Sequence, residues 1–375
     1  MHVSGGAGAR PEPTASPGVS LSLVIPAYNE GPRLDDGVAR LRVAIAAGAI
    51  DPETTEFIVV DDGSTDDTTE RAGILFSAFP HVRLLRLAEN HGKGGAVRAG
   101  VAVATAPVIA FADADMAIDP GQTPQFVDAL AKADVAIGSR AASGASVNRS
   151  SLRRSLMNRT FNRLVNALTG VALDDTQCGF KAFRAPVAKL LFHCSVTERF
   201  AFDVEILSLA RRFGLVIAEV PVQWLRVQGS QIRPWSDARS MVRDVFRASR
   251  GGTSGTPVPT LGVKLPGVAP VSDAPVSDAP VSDAPGSDVP ASALAAFLPP
   301  GLPVLRRGDG LFLVLCPLMD DPEVEMTATQ IMAQCPGAVV ERTALTVAQL
   351  SQLAPLSVTP DDDTTTPERA SRPLR

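Results

Sequence analysis

From Leu21 to about Arg250, short apolar runs alternate with stretches of helical periodicity. This alternation restricts the fold more than any other feature of the chain. Leu21-Ser22-Leu23-Val24-Ile25 reads as a strand that stops at Pro26. Leu34–Ala47 has helical spacing. Glu56–Val60, Val82–Leu87, Val108–Ala112 and Val135–Gly138 read as further strands, with a helix over about Gly94–Ala104. Such a pattern predicts an α/β fold with a largely parallel sheet and helices on both faces. Ligands of these sheets collect at the carboxyl ends of the strands. Three polar clusters fall there, Tyr28-Asn29-Glu30, Asp61-Asp62 and Asp113-Ala114-Asp115, and together they predict one composite site.

The rest of the chain divides by composition. Met1–Ser20 is a Gly, Pro and Ala leader without the apolar core of a signal peptide. Residues 21–250 form the main domain. Residues 251–303 are rich in Pro, Ala and Ser and repeat Val-Ser-Asp-Ala-Pro at Val271–Pro275, Val276–Pro280 and Val281–Pro285, which predicts a semi-stiff linker. Residues 304–354 offer strands at Leu311–Leu315 and Ala338–Glu341 and helices at Glu325–Ala333 and Ala344–Leu353, a small βαβα module. A polar tail covers 355–375. The net charge of -5 excludes a protein built to coat nucleic acid. Four scattered cysteines without a C-x-x-C pair argue against a disulfide framework or a structural zinc. No apolar run reaches the roughly 20 residues of a membrane span, so the chain is expected in the cytoplasm, free or at a membrane surface.

Several motifs carry chemistry. Asp113 and Asp115 follow a buried strand, and i, i+2 side chains of an extended segment share one face. Two carboxylates there suit a hard divalent cation, although capping of the next helix explains them equally. Asp61 and Asp62 close a strand and suit a base N–H or a ribose hydroxyl, with Gly63 permitting the turn. It is neither an EF-hand nor a P-loop, and no dinucleotide fingerprint is present. Asn90–Ala96 opens a helix, where glycines admit a ligand and Lys93 adds charge; an ordinary Gly-rich turn is the alternative. Arg140 to Leu173 holds six arginines (Arg140, Arg149, Arg153, Arg154, Arg159 and Arg163) and no acid, which predicts an anionic acceptor or a membrane surface. Ser236–Arg250 is a basic amphipathic helix, suited to anionic lipid or to the protein's own core.

Val24–Glu30, Val59–Asp66, Gly92–Arg98, Phe111–Asp115, Gly138–Arg140 and Asp175–Lys181 occur in this order. Through them the chain, over about Leu21–Arg233, resembles family 2 glycosyltransferases of GT-A (nucleotide-diphospho-sugar transferase) fold. Within these it looks most like the dolichyl-phosphate (polyprenyl-phosphate) β-glucosyltransferases, with the dolichyl-phosphate mannosyltransferases as near relatives. The resemblance implies a nucleotide-sugar donor, Mg²⁺ or Mn²⁺, and a polyprenyl phosphate acceptor met at a membrane surface. It places Pro26, Tyr28, Glu30, Asp61, Asp62 and Lys93 at the nucleotide sugar and Asp113 and Asp115 at the metal and diphosphate. Ser139, Arg140, Arg154 and Asn158 fall at the acceptor phosphate, and Glu205 orients the sugar or acceptor. Asp113–Ile118 and Asp175–Lys181 favour glucose over mannose. Gly229-Ser230-Gln231 departs from the family, which has lysine at the third position.

Overall fold

The computed structural model describes residues 18–147, 165–166, 173–199, 201–225, 258–264, 304–306, 311–317, 319, 321–334, 338–346 and 350. Its larger sheet contains β1 (Leu21–Ala27), β2 (Thr55–Asp61), β3 (Val82–Arg86), β4 (Val108–Ala112), β5 (Val135–Ser139), β7 (Phe180–Arg184) and β8 (Ile217–Pro221); a two-residue β6 (Ser146–Val147) pairs with β9 (Gln223–Trp224). The order is β3-β2-β1-β4-β7-β5-β8. All neighbours are parallel except β7, which runs antiparallel between β4 and β5. Every residue of β1 and β2 is buried. Helices cover both faces, so these strands read as near-continuous apolar runs rather than alternating ones.

Successive side chains of β1 point to opposite layers. Leu23 and Ile25 join α1 (Gly31–Ala46), α2 (Thr68–Phe76) and α4 (Thr123–Ala129) in one core. Val24 packs with α3 (Lys93–Val103), α5 (Ala185–Cys194) and α6 (Phe202–Arg212) in the other. The first strand does not stop at Pro26 but runs to Ala27, pairing with β2 as far as Asp61. Proline is tolerated because the β1–β4 ladder has already ended at Val24.

The second sheet corrects the expected boundary of the linker. Val258–Lys264, inside the stretch read as linker, is a strand, β10. It lies between β12 (Leu311–Leu315) and β13 (Val339–Leu345), with β11 (Val304–Arg306) outside β12, all antiparallel. Pro259 sits one residue beyond the β12 ladder, which starts at Thr260, so it breaks no bond there. Leu261, Val263 and Val314 face Val324, Ala328 and Ile331 of α7 (Asp321–Gln334). The helix expected from Ala344 is also corrected: Ala344 and Leu345 complete β13, held by Pro259 and Val258. Val258, Leu315 and Leu350 belong to the same buried cluster as Val187 and Leu191 of α5, which docks this sheet on the main domain. The Val-Ser-Asp-Ala-Pro repeats, the polar tail and the Ser236–Arg250 segment lie outside the described residues.

Candidate active site

Two turns meet at the carboxyl ends of β1 and β2. Asn29 takes a left-handed φ of 52°. Its amide donates to Ser64 Oγ at 3.0 Å, and its Oδ1 accepts from Thr65 N at 2.9 Å. Asp61 is fully buried; one oxygen accepts from Ser64 N at 2.9 Å and the other from the Thr69 hydroxyl. Asp62 accepts from the amides of His91 at 2.8 Å and Gly92 at 2.7 Å. Burial pushes the Asp62 carboxyl above its ordinary range, against these two amides. Both acids thus brace the loops that carry them. Each carboxylate oxygen keeps a second lone pair for a further donor. Pro26 stays inside the sheet opposite Val60, while Tyr28 is 39% exposed beside it.

The D-x-D segment leaves the strand at once. β4 ends at Ala112, and Met116 N donates to Asp113 O at 2.9 Å, so the acids sit on a turn rather than on an extended run. Asp115 Oδ1 accepts from Ala117 N at 3.0 Å. Burial, then the charge of Asp113, raises the Asp115 carboxyl. Glu30 is raised by burial, and the charges of Asp115 and Asp113 add to that; Arg33, at 3.0 Å from both carboxylate oxygens, opposes it. Glu30, Asp113 and Asp115 therefore lie within one another's field.

The opening of α3 is the next wall. Its glycines admit the chain's own backbone: a Cβ on Gly94 would lie 2.6 Å from Thr197 O, and one on Gly92 2.7 Å from Glu198 O. Gly95 N donates to Glu198 O at 3.1 Å. With the His91 and Gly92 amides on Asp62, much of this helix start is already paired within the chain. Lys93 instead reaches Asp113, Nζ to Oδ1 at 2.5 Å, over the rings of Phe111 and Phe202. Burial works to lower the Lys93 ammonium, but the charges of Asp113 and Asp203 outweigh it and raise it.

Beneath Phe111 lies a pair to which the sequence reading gave no role. Lys181, wholly buried, donates to Asp203 Oδ1 and to Cys178 O, both at 2.7 Å. Gly179 stands against Asp113; a Cβ there would run into the Asp113 carboxylate. Both residues stand in the Asp175–Lys181 motif, which is the signal that marks them.

Just beyond β5, Arg140 grips Asp175 with Nε at 2.6 Å, Nη2 at 2.9 Å and its own amide at 3.0 Å. Burial works to raise Asp175, but the bonds and charge of Arg140 hold it below the ordinary carboxylate range. Arg140 also feels Asp113. Ser139 is buried, and its hydroxyl accepts from Ala142 N at 3.1 Å. Glu205 is not on an open wall. Its oxygens accept from Val196 N and Thr197 N at 2.8–3.2 Å, tying down the loop that packs on α3. Burial raises its carboxyl against those amides. Arg149, Arg153, Arg154, Asn158, Arg159, Arg163 and Gly229-Ser230-Gln231 lie outside the described residues.

Asp113 and Asp115 fit a divalent cation. They offer hard oxygen donors on one turn, and the charge of Asp113 on Asp115 is one that a cation relieves; bound there, it would take Asp113 from its ion pair with Lys93. Among the described residues no group of three or more His, Cys, Asp or Glu forms a ready cage. A cation held by two carboxylates takes its remaining positions from water and substrate phosphate, as Mg²⁺ does. No described helix is long and apolar enough to cross a membrane.

The model of glycosyl transferase family 2 matches residues 22–192. The dolichyl-phosphate beta-glucosyltransferase of Drosophila melanogaster is 41% identical over 249 residues, 62% of this chain and 74% of that one. Those of Dictyostelium discoideum and Homo sapiens are each 36% identical, over 61% and 62% of this chain and 73% and 75% of theirs. Among solved structures, glucosyl-3-phosphoglycerate synthase from Mycobacterium tuberculosis with Mn²⁺, UDP and glucosyl-3-phosphoglycerate is 21% identical, with a TM-score of 0.48 over 68% of this chain and 90% of that one. On the dolichyl-phosphate beta-glucosyltransferase relatives and the family match, the chain belongs to glycosyl transferase family 2, and its mostly parallel, helix-covered sheet is GT-A-like.

Proposed function

We propose that this protein transfers glucose from UDP-glucose to the phosphate of dolichyl or another polyprenyl phosphate, inverting the anomeric centre to leave a β-linked lipid sugar. One observation carries the reading most: the relatives that match across about three quarters of their length are named dolichyl-phosphate beta-glucosyltransferases. The site chemistry supports it. Asp113 and Asp115 would hold Mg²⁺ or Mn²⁺, which when bound neutralises the charge growing on the departing nucleoside diphosphate. Lys93 adds a second positive charge on the same side. Asp61 and Asp62 keep the nucleoside loops in place while offering their spare lone pairs, and Pro26, Tyr28 and Glu30 complete that wall.

A phosphate monoester has its second pKa near ~6 and is already anionic at neutral pH. It therefore needs cationic placement more than a general base. Arg140, fixed in direction by Asp175, supplies that placement, with Ser139, Arg154 and Asn158 as further acceptor contacts. Glu205 acts by holding the 196–197 loop. The protein works at the cytoplasmic face of a membrane, bound peripherally, because its acceptor's chain is in lipid.

The test supplies purified protein with dolichyl phosphate, Mg²⁺ and labelled UDP-glucose or GDP-mannose, and then extracts the products into organic solvent. Lipid-soluble label is expected from UDP-glucose. Label from GDP-mannose alone would replace the donor, and no lipid-soluble label from either would end the acceptor assignment.

A further inference from the structure

We propose that Arg40, on α1, is a positioning residue for the cation-binding turn Asp113–Ala117. This rests on the reading of Asp113 and Asp115 as cation ligands. Met116, next to Asp115, has a left-handed φ of 45°. A non-glycine residue in that region is held there by its surroundings. Arg40 supplies the hold. Its Nη1 donates to Asp115 O at 2.7 Å and to Met116 O at 3.4 Å, the carbonyls on either side of the left-handed residue. Among the described residues Arg40 forms no ion pair with a carboxylate, so its guanidinium is directed to this backbone.

One helical turn earlier, Gly37 lets α1 close on the same segment, because an added Cβ would strike Ala114 O. The opposite flank is tied by Leu225 N to Ala117 O at 2.7 Å and by Asp119 N to Gln223 O at 3.3 Å. The turn is thus clamped between α1 and the strand Gln223–Trp224. Arg40 bonds the backbone of the turn rather than its carboxylates, and so sets where the Asp115 carboxylate points. Outer partners of metal ligands of this kind change metal affinity by roughly 10–100-fold when removed.

The test uses the full chain. Mn²⁺ binding in the presence of UDP is followed by electron paramagnetic resonance, and transfer is measured across a Mg²⁺ series. Arg40→Ala is expected to weaken Mn²⁺ binding about tenfold and to raise half-saturating Mg²⁺ equally. The rate at saturating Mg²⁺ should change much less. Arg40→Lys, which keeps one donor, should recover most of the affinity. If Arg40→Ala does not fold, Arg40→Gln, shorter and uncharged, should show a weaker cation affinity at an unchanged melting temperature. Wild-type Mn²⁺ affinity in Arg40→Ala, or a lysine that restores stability without affinity, overturns the proposal. Asp115→Asn separates the two claims: if it keeps Mn²⁺ affinity, the ligand assignment itself fails, whatever Arg40 does.

Discussion

The two ends of the large sheet both hold carboxylates, and they treat them in opposite ways. At the amino end Glu56 is surrounded by donors. One oxygen accepts from Ser22 Oγ at 2.7 Å and from Thr105 N at 3.1 Å, and the other meets Arg83 Nε at 2.6 Å. At the carboxyl end Glu30, Asp113 and Asp115 press their charges on one another, with Lys93 and Arg33 interposed. A buried acid among donors is a structural device that is complete as it stands. Acids gathered in one field cost stability and are relieved by an added cation, which is the signature of a working site.

Substitutions can break or sharpen that contrast. The largest effect belongs to Asp115→Ala, which should cut transfer by roughly a thousandfold or more through loss of the cation's charge stabilisation, with the melting temperature within a few degrees of wild type. Equal losses of activity and stability would erase the distinction between the two ends. Lys181→Met strands Asp203 in the core and should cost about 3–5 kcal/mol in denaturant unfolding, which shows that the carboxyl end also contains purely structural charge. Glu56→Ala leaves Arg83 and Ser22 unsatisfied and should cost about 2–3 kcal/mol, with turnover per folded molecule unchanged; a turnover defect would give the amino end a role in catalysis.

The smallest effect is in pH. The Asp115 carboxyl is raised in the folded state, so between its ordinary value of 3.8 and the raised one the native protein holds more protons than the unfolded chain. Stability contributed by this group therefore falls as pH rises through that window. Asp115→Asn should be more stable than wild type at neutral pH, and the gap in denaturation midpoints should close as pH drops toward the ordinary carboxylate range. Asp175, held low by Arg140, has the opposite sign, and its contribution is lost only as pH falls below that range.

The strands with continuous burial were legible because burial on both faces writes an unbroken apolar run, as in Phe57-Ile58-Val59-Val60. β10 was not, because Val258-Pro259-Thr260-Leu261-Gly262-Val263 carries a proline and a glycine that locally signal a turn. Only pairing with β12 and β13 on either side makes it a strand. The acids are legible as a set, but the backbone partners some of them take from afar are not. Glu205 binds amides nine and eight residues away across a loop, and Asp62 binds amides some thirty residues on. Arg40 gave no local signal at all, since its partners are carbonyls 75 and 76 positions distant.

The sequence by itself determined the alternating strands and helices, the family and the acids that close each strand, because periodicity and short motifs are local properties. Tertiary structure alone decided which of those acids brace loops and which share a field, and that a helix from one segment clamps the turn of another. Hydrogen bonds and charge repulsion depend on distance in space, and neighbours in space are set only when the chain has folded.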